Sequence, residues 1–296
     1  MYYYQHENLQ SILSELIIAH ATPGGWDWLT ERSVNGLTEN LPSTFALVPR
    51  KAGRNPIVVT ESQASEIESS RPGLEISGWT VDRLARVWLL LQLPVTDSDN
   101  YFQTIDALFQ AASVNELVAL YSALPVQAFP ELWVNRCSEG IRNNISDVLE
   151  AIMCNNPYPY ENLDESAWNQ LVLKAFFTEK PIDRIIGLDK RTNLHLANTL
   201  SDYAHERWSA HRQVNPQLWR CLGLFLNKDL FENILRLEKT GNPLDLEAAA
   251  LACSASSYPE ASSWLDQHEN LKAAIETGKL SWKKMSDKSS EYVLQQ

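Results

Sequence analysis

The side chains able to do chemistry concentrate between residues 136 and 220, inside stretches that otherwise carry core-forming residues. On LSDYAHERWSAHR, residues 200–212, Asp202, His205 and Glu206 fall within one arc at about 100° per residue. Two carboxylates and an imidazole so placed could converge on a proton or a divalent metal. His205 and His211 are six residues apart, so this is not the H-E-x-x-H zinc pattern, which needs a four-residue step. Arg136, Glu139 and Arg142 step by three, which lets Glu139 bridge two guanidinium groups. That arrangement suits either an ion-pair network between helices or a fork that receives the carboxylate or phosphate of a small anionic metabolite. Lys174, on the helix that also carries Asn169, could act as a base or Schiff-base amine if desolvated. Arg207 falls near the apolar arc of Tyr203 and Leu200 and calls for an acid, with Asp189 or Glu139 as the candidates. Asn144, Asn156, Tyr158 and Arg191 complete the polar set. The expectation is that these groups come from separate helices to line one ligand or partner pocket. Against it stands the plainer reading that buried polar groups must pair whether or not a ligand exists.

Several functions are excluded or disfavoured by composition. With 25 Lys and Arg against 37 Asp and Glu, the chain carries a formal charge of -12, and an acidic surface does not suit nucleic acid. Residues 181–220 reverse the balance locally, with six Lys or Arg against four Asp or Glu, which would suit an anionic metabolite or acidic partner. Cys137, Cys154, Cys221 and Cys253 are widely spaced without a C-x-x-C pair and read as buried thiols. No phosphate loop, cofactor fingerprint or metal motif is present, so no cofactor is expected and no catalytic residue is assigned. The opening MYYYQHENLQSILSELIIAHA has no basic n-region, which points to a cytoplasmic protein. The apolar run at Val87–Leu91 is far short of the roughly 20 residues of a membrane span.

The elements that must position these groups are helices. Apolar residues recur three and four apart at Val81, Leu84, Ala85, Trp88 and Leu91, at Leu117, Leu120, Tyr121 and Leu124, and at Trp168, Leu171, Val172, Ala175 and Phe176. Ser113 with Glu116 makes a capping box, and Pro130 and Pro216 suit first-turn positions. Asn155–Pro159 reads as a helix-ending turn. PLDLEAAALACSASSYPEASSWLDQHENL reads as a pair of helices of HEAT type. The fold class is therefore all-α, an irregular α-solenoid or HEAT-like array of helix pairs, with an irregular bundle as the alternative. Residues 1–40 supply N-terminal helices, and residues 41–78, rich in proline, glycine and β-branched side chains, a long loop or small hairpin. Residues 79–282 form the main helical domain and residues 283–296 a charged, fraying tail.

Longer patterns carry more specificity. Arg136 and Glu139 precede Gly140-Ile141-Arg142-x-Asn144, and Asn156-Pro157-Tyr158-Pro159 follows. Then come Ala167–Gln170, Val172–Ala175, Gly187-Leu188-Asp189-x-Arg191 and Asp202–Trp208. In these runs, and in LARVWLLLQLP and NELVALYSALP upstream, the chain resembles the EboA family over about residues 79–226. It departs from that pattern at Leu171, Thr192, Ser209 and His211, where the family carries Met, Ala, Ala and Gly. The resemblance implies a part in moving a secondary-metabolite precursor from the cytoplasm toward the periplasm. It also implies a prenyltransferase-like membrane protein and enzyme-like products of the same gene cluster as partners, which would place the chain at the inner membrane through a partner.

Three functions are distinguishable. A non-enzymatic adaptor or carrier would hold a hydrophobic, aromatic or anionic metabolite, or dock the membrane partner. An enzyme on the same metabolite would use Asp202, His205, Glu206 and Lys174 as metal or acid-base groups. A purely structural helical scaffold would show the polar set fully paired.

Overall fold

The computed structural model describes residues 4–34 and 36–293, with side chains as far as Lys288. Among the described residues there are helices and no strands, and one isolated bridge joins Pro56 to Thr80. Helices up to Trp168 form one compact unit and those from Asn169 a second. The first holds α1 His6–His20, α2 Gly25–Val34, α3 Leu37–Lys51, α4 Glu61–Ser70 and α5 Val81–Leu91. It continues with α6 Ser98–Ala111, α7 Val114–Ala123, α8 Val134–Ile141, α9 Ser146–Met153 and α10 Tyr158–Asn162. Helix α11, Glu165–Phe177, carries the boundary. The second unit follows with α12 Leu188–Arg191, α13 Leu194–Ser209, α14 Lys228–Glu238 and α15 Pro243–Ser254, then α16 Pro259–Gln267, α17 Glu269–Glu276 and α18 Trp282–Val293.

In the first unit α5 is the central element, buried on all sides from Leu84 to Leu91 and packed against α1, α2, α3 and α7. The stripe read from its periodicity is entirely in the core. The Ser113–Glu116 capping box forms at the start of α7. Pro130 and Pro216 open short 3-10 turns, Pro130–Trp133 and Pro216–Cys221. In the second unit α15 takes the central place, against α14, α16, α17 and the Pro216–Cys221 turn. Its small residues allow close backbone approach: a Cβ on Gly223 would sit 2.8 Å from the Ala252 carbonyl oxygen. The C-terminal pair read from the sequence forms as α15 and α16.

Two expectations are corrected. Residues 41–78 are not a loop or hairpin: most of them belong to α3 and α4, the latter opened by a Thr60–Gln63 capping box. The expected tail from residue 283 is helical as far as Val293, and residues 294–296 lie outside the described set.

The physical reason for the first correction is that α3 keeps its helix through Pro42 and Pro49. Proline has no N–H to give the carbonyl four residues back. For Pro49 that carbonyl is Phe45 O, and the buried Arg86 side chain of α5 donates Nε to it at 3.0 Å. Arg86 is only 2% exposed, its Nη1 meets Asp82 Oδ2 at 3.0 Å, and its guanidinium lies 5.4 Å from the Phe45 ring centre. Replacing Arg86 with Met strands both the Asp82 carboxylate and the Phe45 carbonyl, and should cost about 3–5 kcal/mol in urea unfolding. Adding Pro49→Ala should restore about 1 kcal/mol in that background, because the helix regains its own donor, and nothing in the Arg86 background. A double-mutant cycle with no coupling between the two sites would refute the account.

Candidate functional site

An irregular segment, Leu124–Trp133, ends α7 and leads to α8. Its carbonyls cannot all be satisfied by its two short 3-10 turns, and buried carbonyls need donors. Side chains supply them, three from elsewhere in the first unit and one, Trp133, from the end of the segment itself. Arg71 Nε donates to Pro125 O at 2.7 Å, Tyr4 Oη to Val126 O at 2.7 Å, Trp133 Nε1 to Ala128 O at 3.0 Å and Tyr158 Oη to Pro130 O at 2.5 Å. Tyr4, Arg71 and Tyr158 are thereby gathered around one cleft of about 240 Å³, lined also by Leu124, Pro125, Gln127, Pro130, Glu161 and Asn162.

Arg71 makes a bidentate pair with Glu161, at 2.9 and 2.5 Å, so the cleft's two charges cancel. Burial pushes the Tyr158 phenol above its usual range, and it stays a neutral donor. Gln127 is 4% exposed, and its Oε1 accepts from the Tyr101 hydroxyl. That hydroxyl also accepts from Ala128 N–H at 3.2 Å. Gln127 Nε2 is left with no partner. Phe129, next to this wall, has φ of 53°, a left-handed conformation that is costly for a bulky residue and occurs mostly where surrounding structure imposes it.

Of the expected site residues, Arg136, Glu139, Arg142, Asn144, Asn156 and Tyr158 lie in the first unit, and Tyr158 lines this cleft. Asn156 positions it: Asn156 Nδ2 donates to Tyr121 O and Ala151 O, and Asn156 Oδ1 accepts from Tyr158 N–H at 3.0 Å. The Asn155–Pro159 run is thus the helix-ending turn expected. Glu139 does not bridge two arginines. It meets Arg136 at 2.9 Å, Arg136 turns its Nε to Asp106 of α6 at 2.6 Å, and Arg142 is exposed. Asn144 is exposed as well.

Asn169, Lys174, Asp189, Arg191, Asp202, His205, Glu206 and Arg207 lie in the second unit. Most of those whose bonds are defined take separate partners. Asn169 and Asn193 exchange amide hydrogen bonds at 3.2 and 2.8 Å, and Asn193 caps α13 through Leu196 N–H. The expected Arg207–Asp189 pair is replaced: Asp189 is held by both Nε and Nη2 of Arg220 at 2.5 Å. Arg207 is half-buried and needs no acid, because its Nε donates to Gln213 O at 2.9 Å just past the helix end. His205 Nε2 is 2.8 Å from Asn233 Oδ1, while Asp202 and Glu206 are exposed. Among the described residues no three His, Cys, Asp or Glu side chains are grouped to hold a metal. Lys174 and Arg191 are half-buried. Tyr4, Arg71, Gln127 and Glu161 were missed as cleft residues. Glu161 stood inside a stretch already singled out, and the other three carry no spacing signal.

Among the described residues these features define an all-helical protein with a small, charge-balanced cleft. A family model described as metabolite traffic protein EboA matches residues 9–223, and the chain belongs to that family. No curated protein and no solved structure matches it.

The departure at His211 has a backbone cause. Helix α13 ends in a Schellman motif, with His211 N–H bonded to Trp208 O at 3.0 Å and Arg212 N–H to Arg207 O at 2.9 Å. His211 occupies the left-handed position, φ 56°, where glycine fits without Cβ strain. His211→Gly should therefore stabilise the chain by about 1 kcal/mol in denaturant titration; a loss of stability would show that the imidazole makes a contact worth more than the strain.

A pH dependence follows from Asp106. The hydrogen bond from Arg136 holds its carboxyl below the usual aspartate range, against the opposing effect of burial. The unfolded chain therefore takes up this proton first, and the pair's contribution is complete above the unfolded value and lost as pH falls through the folded one. Asp106→Asn should flatten the acid limb of the stability profile below about pH 4, read as urea midpoints across that range; an unchanged limb would mean the pair contributes nothing.

Proposed function

We propose that the chain is a non-enzymatic adaptor or carrier that holds a small metabolite in the first-unit cleft during traffic of a secondary-metabolite precursor. The observation that carries this reading is the cleft of about 240 Å³ walled by Tyr158 of a family motif, in a member of a metabolite-traffic family. The reading is further supported by the thiols: burial pushes Cys137 up strongly, and Cys221 and Cys253 up to about 12, which keeps them protonated and inert as nucleophiles. In this proposal the protein is cytoplasmic and works beside a prenyltransferase-like membrane protein and enzyme-like companions, passing cargo toward the periplasm. Among the described residues no helix is long and apolar enough to cross a membrane, so contact with the bilayer would run through that partner. Helix pairs such as α15 with α16 suit a HEAT-like array offering a surface for such docking.

Cells lacking the protein should retain the precursor in the cytoplasm. The unaltered chain should restore export, and Asn162→Trp, which places an indole in the cleft, should not. Unchanged distribution of the precursor in the deletion strain would end the carrier reading.

A further inference from the structure

The cleft contains a guanidinium, the usual receptor for a carboxylate or phosphate, and the chain has already filled it. Arg71 is anchored by backbone carbonyls, with Nε on Pro125 O at 2.7 Å and Nη1 on Pro72 O at 3.3 Å. Glu161 takes the fork: its two oxygens meet Nη1 and Nη2 at 2.9 and 2.5 Å, so four of the five N–H groups are committed. The acid side chain is 36% exposed and the arginine 11%, so the acid comes to the pair from the more open side while the carbonyls hold the cation independently of it. An anion entering the cleft would have to push Glu161 out of the fork or sit beside its negative charge, and an ammonium group would have to sit beside Arg71. An uncharged molecule meets neither penalty. Other donors along the wall are engaged as well: the Tyr4 and Tyr158 hydroxyls donate to Val126 O and Pro130 O, and Asn162 Nδ2 to Tyr158 O at 3.0 Å. Leu124, Pro125 and Pro130 add apolar surface. At about 240 Å³ the space lies below the roughly 300 Å³ at which pockets for drug-sized ligands begin, which suits one ring with a short substituent.

We infer that Glu161 sets the selectivity of the cleft: by occupying the Arg71 fork it excludes anions and reserves the space for an uncharged ring, either a small molecule or the neutral end of a larger one. This rests on the carrier reading and names the cargo class for it. Of the hydrophobic, aromatic and anionic metabolites a carrier could hold, the anion is the one this cleft turns away.

The full-length chain, titrated by ligand-observed NMR with benzyl alcohol, benzoate and benzylamine, tests this with one ring in three charge states. Benzyl alcohol should bind at least about tenfold more tightly than either ion, and Asn162→Trp should abolish its signal. Glu161→Gln keeps an acceptor for Arg71 and removes the negative charge. It should strengthen benzoate by at least about tenfold and leave benzyl alcohol within about twofold. If an ion binds the unaltered chain as well as benzyl alcohol does, or if folded Glu161→Gln leaves benzoate unchanged, the selectivity assignment is wrong while the cleft remains a binding site. If none of the three binds, or Asn162→Trp blocks none of them, the cleft is not a cargo site and the carrier reading loses its location. The comparison of probes on the unaltered chain decides the matter even if Glu161→Gln fails to fold.

Discussion

The first unit depends on one buried guanidinium. Pro49 deprives α3 of the donor for Phe45 O, and a buried carbonyl without a donor would cost on the order of 1–3 kcal/mol. Arg86 fills that gap from α5, and Asp82 on the same helix offsets its charge. Burial lowers the Arg86 pKa, and Asp82 and then Glu116 oppose the shift. Glu116 serves twice. One of its oxygens accepts from Ser113 N–H and Oγ to close the capping box of α7, and the other faces Arg86 at 4.0 Å. A proline in α3, a charge in α5 and the start of α7 are thus a single constraint. The end of α7 is where the cleft wall begins.

The wall itself obeys the same rule of backbone satisfaction. Residues 124–133 turn too tightly for a regular helix, and their carbonyls are met by Arg71, Tyr4, Trp133 and Tyr158. Three of them, Tyr4, Arg71 and Tyr158, line the cleft as they reach that segment. Its charge balance has the same origin: Arg71 is drawn in by a carbonyl, and Glu161, one turn from Tyr158, follows to neutralise it.

Helical periodicity was legible in the sequence because it is local. The stripe on α5, the Ser113–Glu116 box and the Asn155–Pro159 turn each depend on residues within a few positions of one another, and each forms as read. The misreading of 41–78 has a long-range cause, since Pro49 is tolerated through a residue 41 positions away from Phe45. Thr60-Glu61-Ser62-Gln63 did carry a capping signal, outweighed by the prolines and glycines before it. The partners within the polar set were not legible: Asp189 meets Arg220 and His205 meets Asn233, partners 31 and 28 positions on that no spacing rule selects. Arg71 and Gln127 were invisible for the same reason: a lone residue has no period.

Two buried amides show how a motif can be structural. Asn156 spends both N–H groups on carbonyls and its oxygen on the Tyr158 N–H, so every polar atom is used in closing a turn. Gln127 engages the Tyr101 hydroxyl through its oxygen, and its Nε2 is buried without a partner. By sequence pattern Asn156 looked functional, because it lies in a long motif. By hydrogen-bond satisfaction it is structural, since a saturated amide has nothing to offer a ligand. The motif holds the backbone from which Tyr158 reaches the cleft wall.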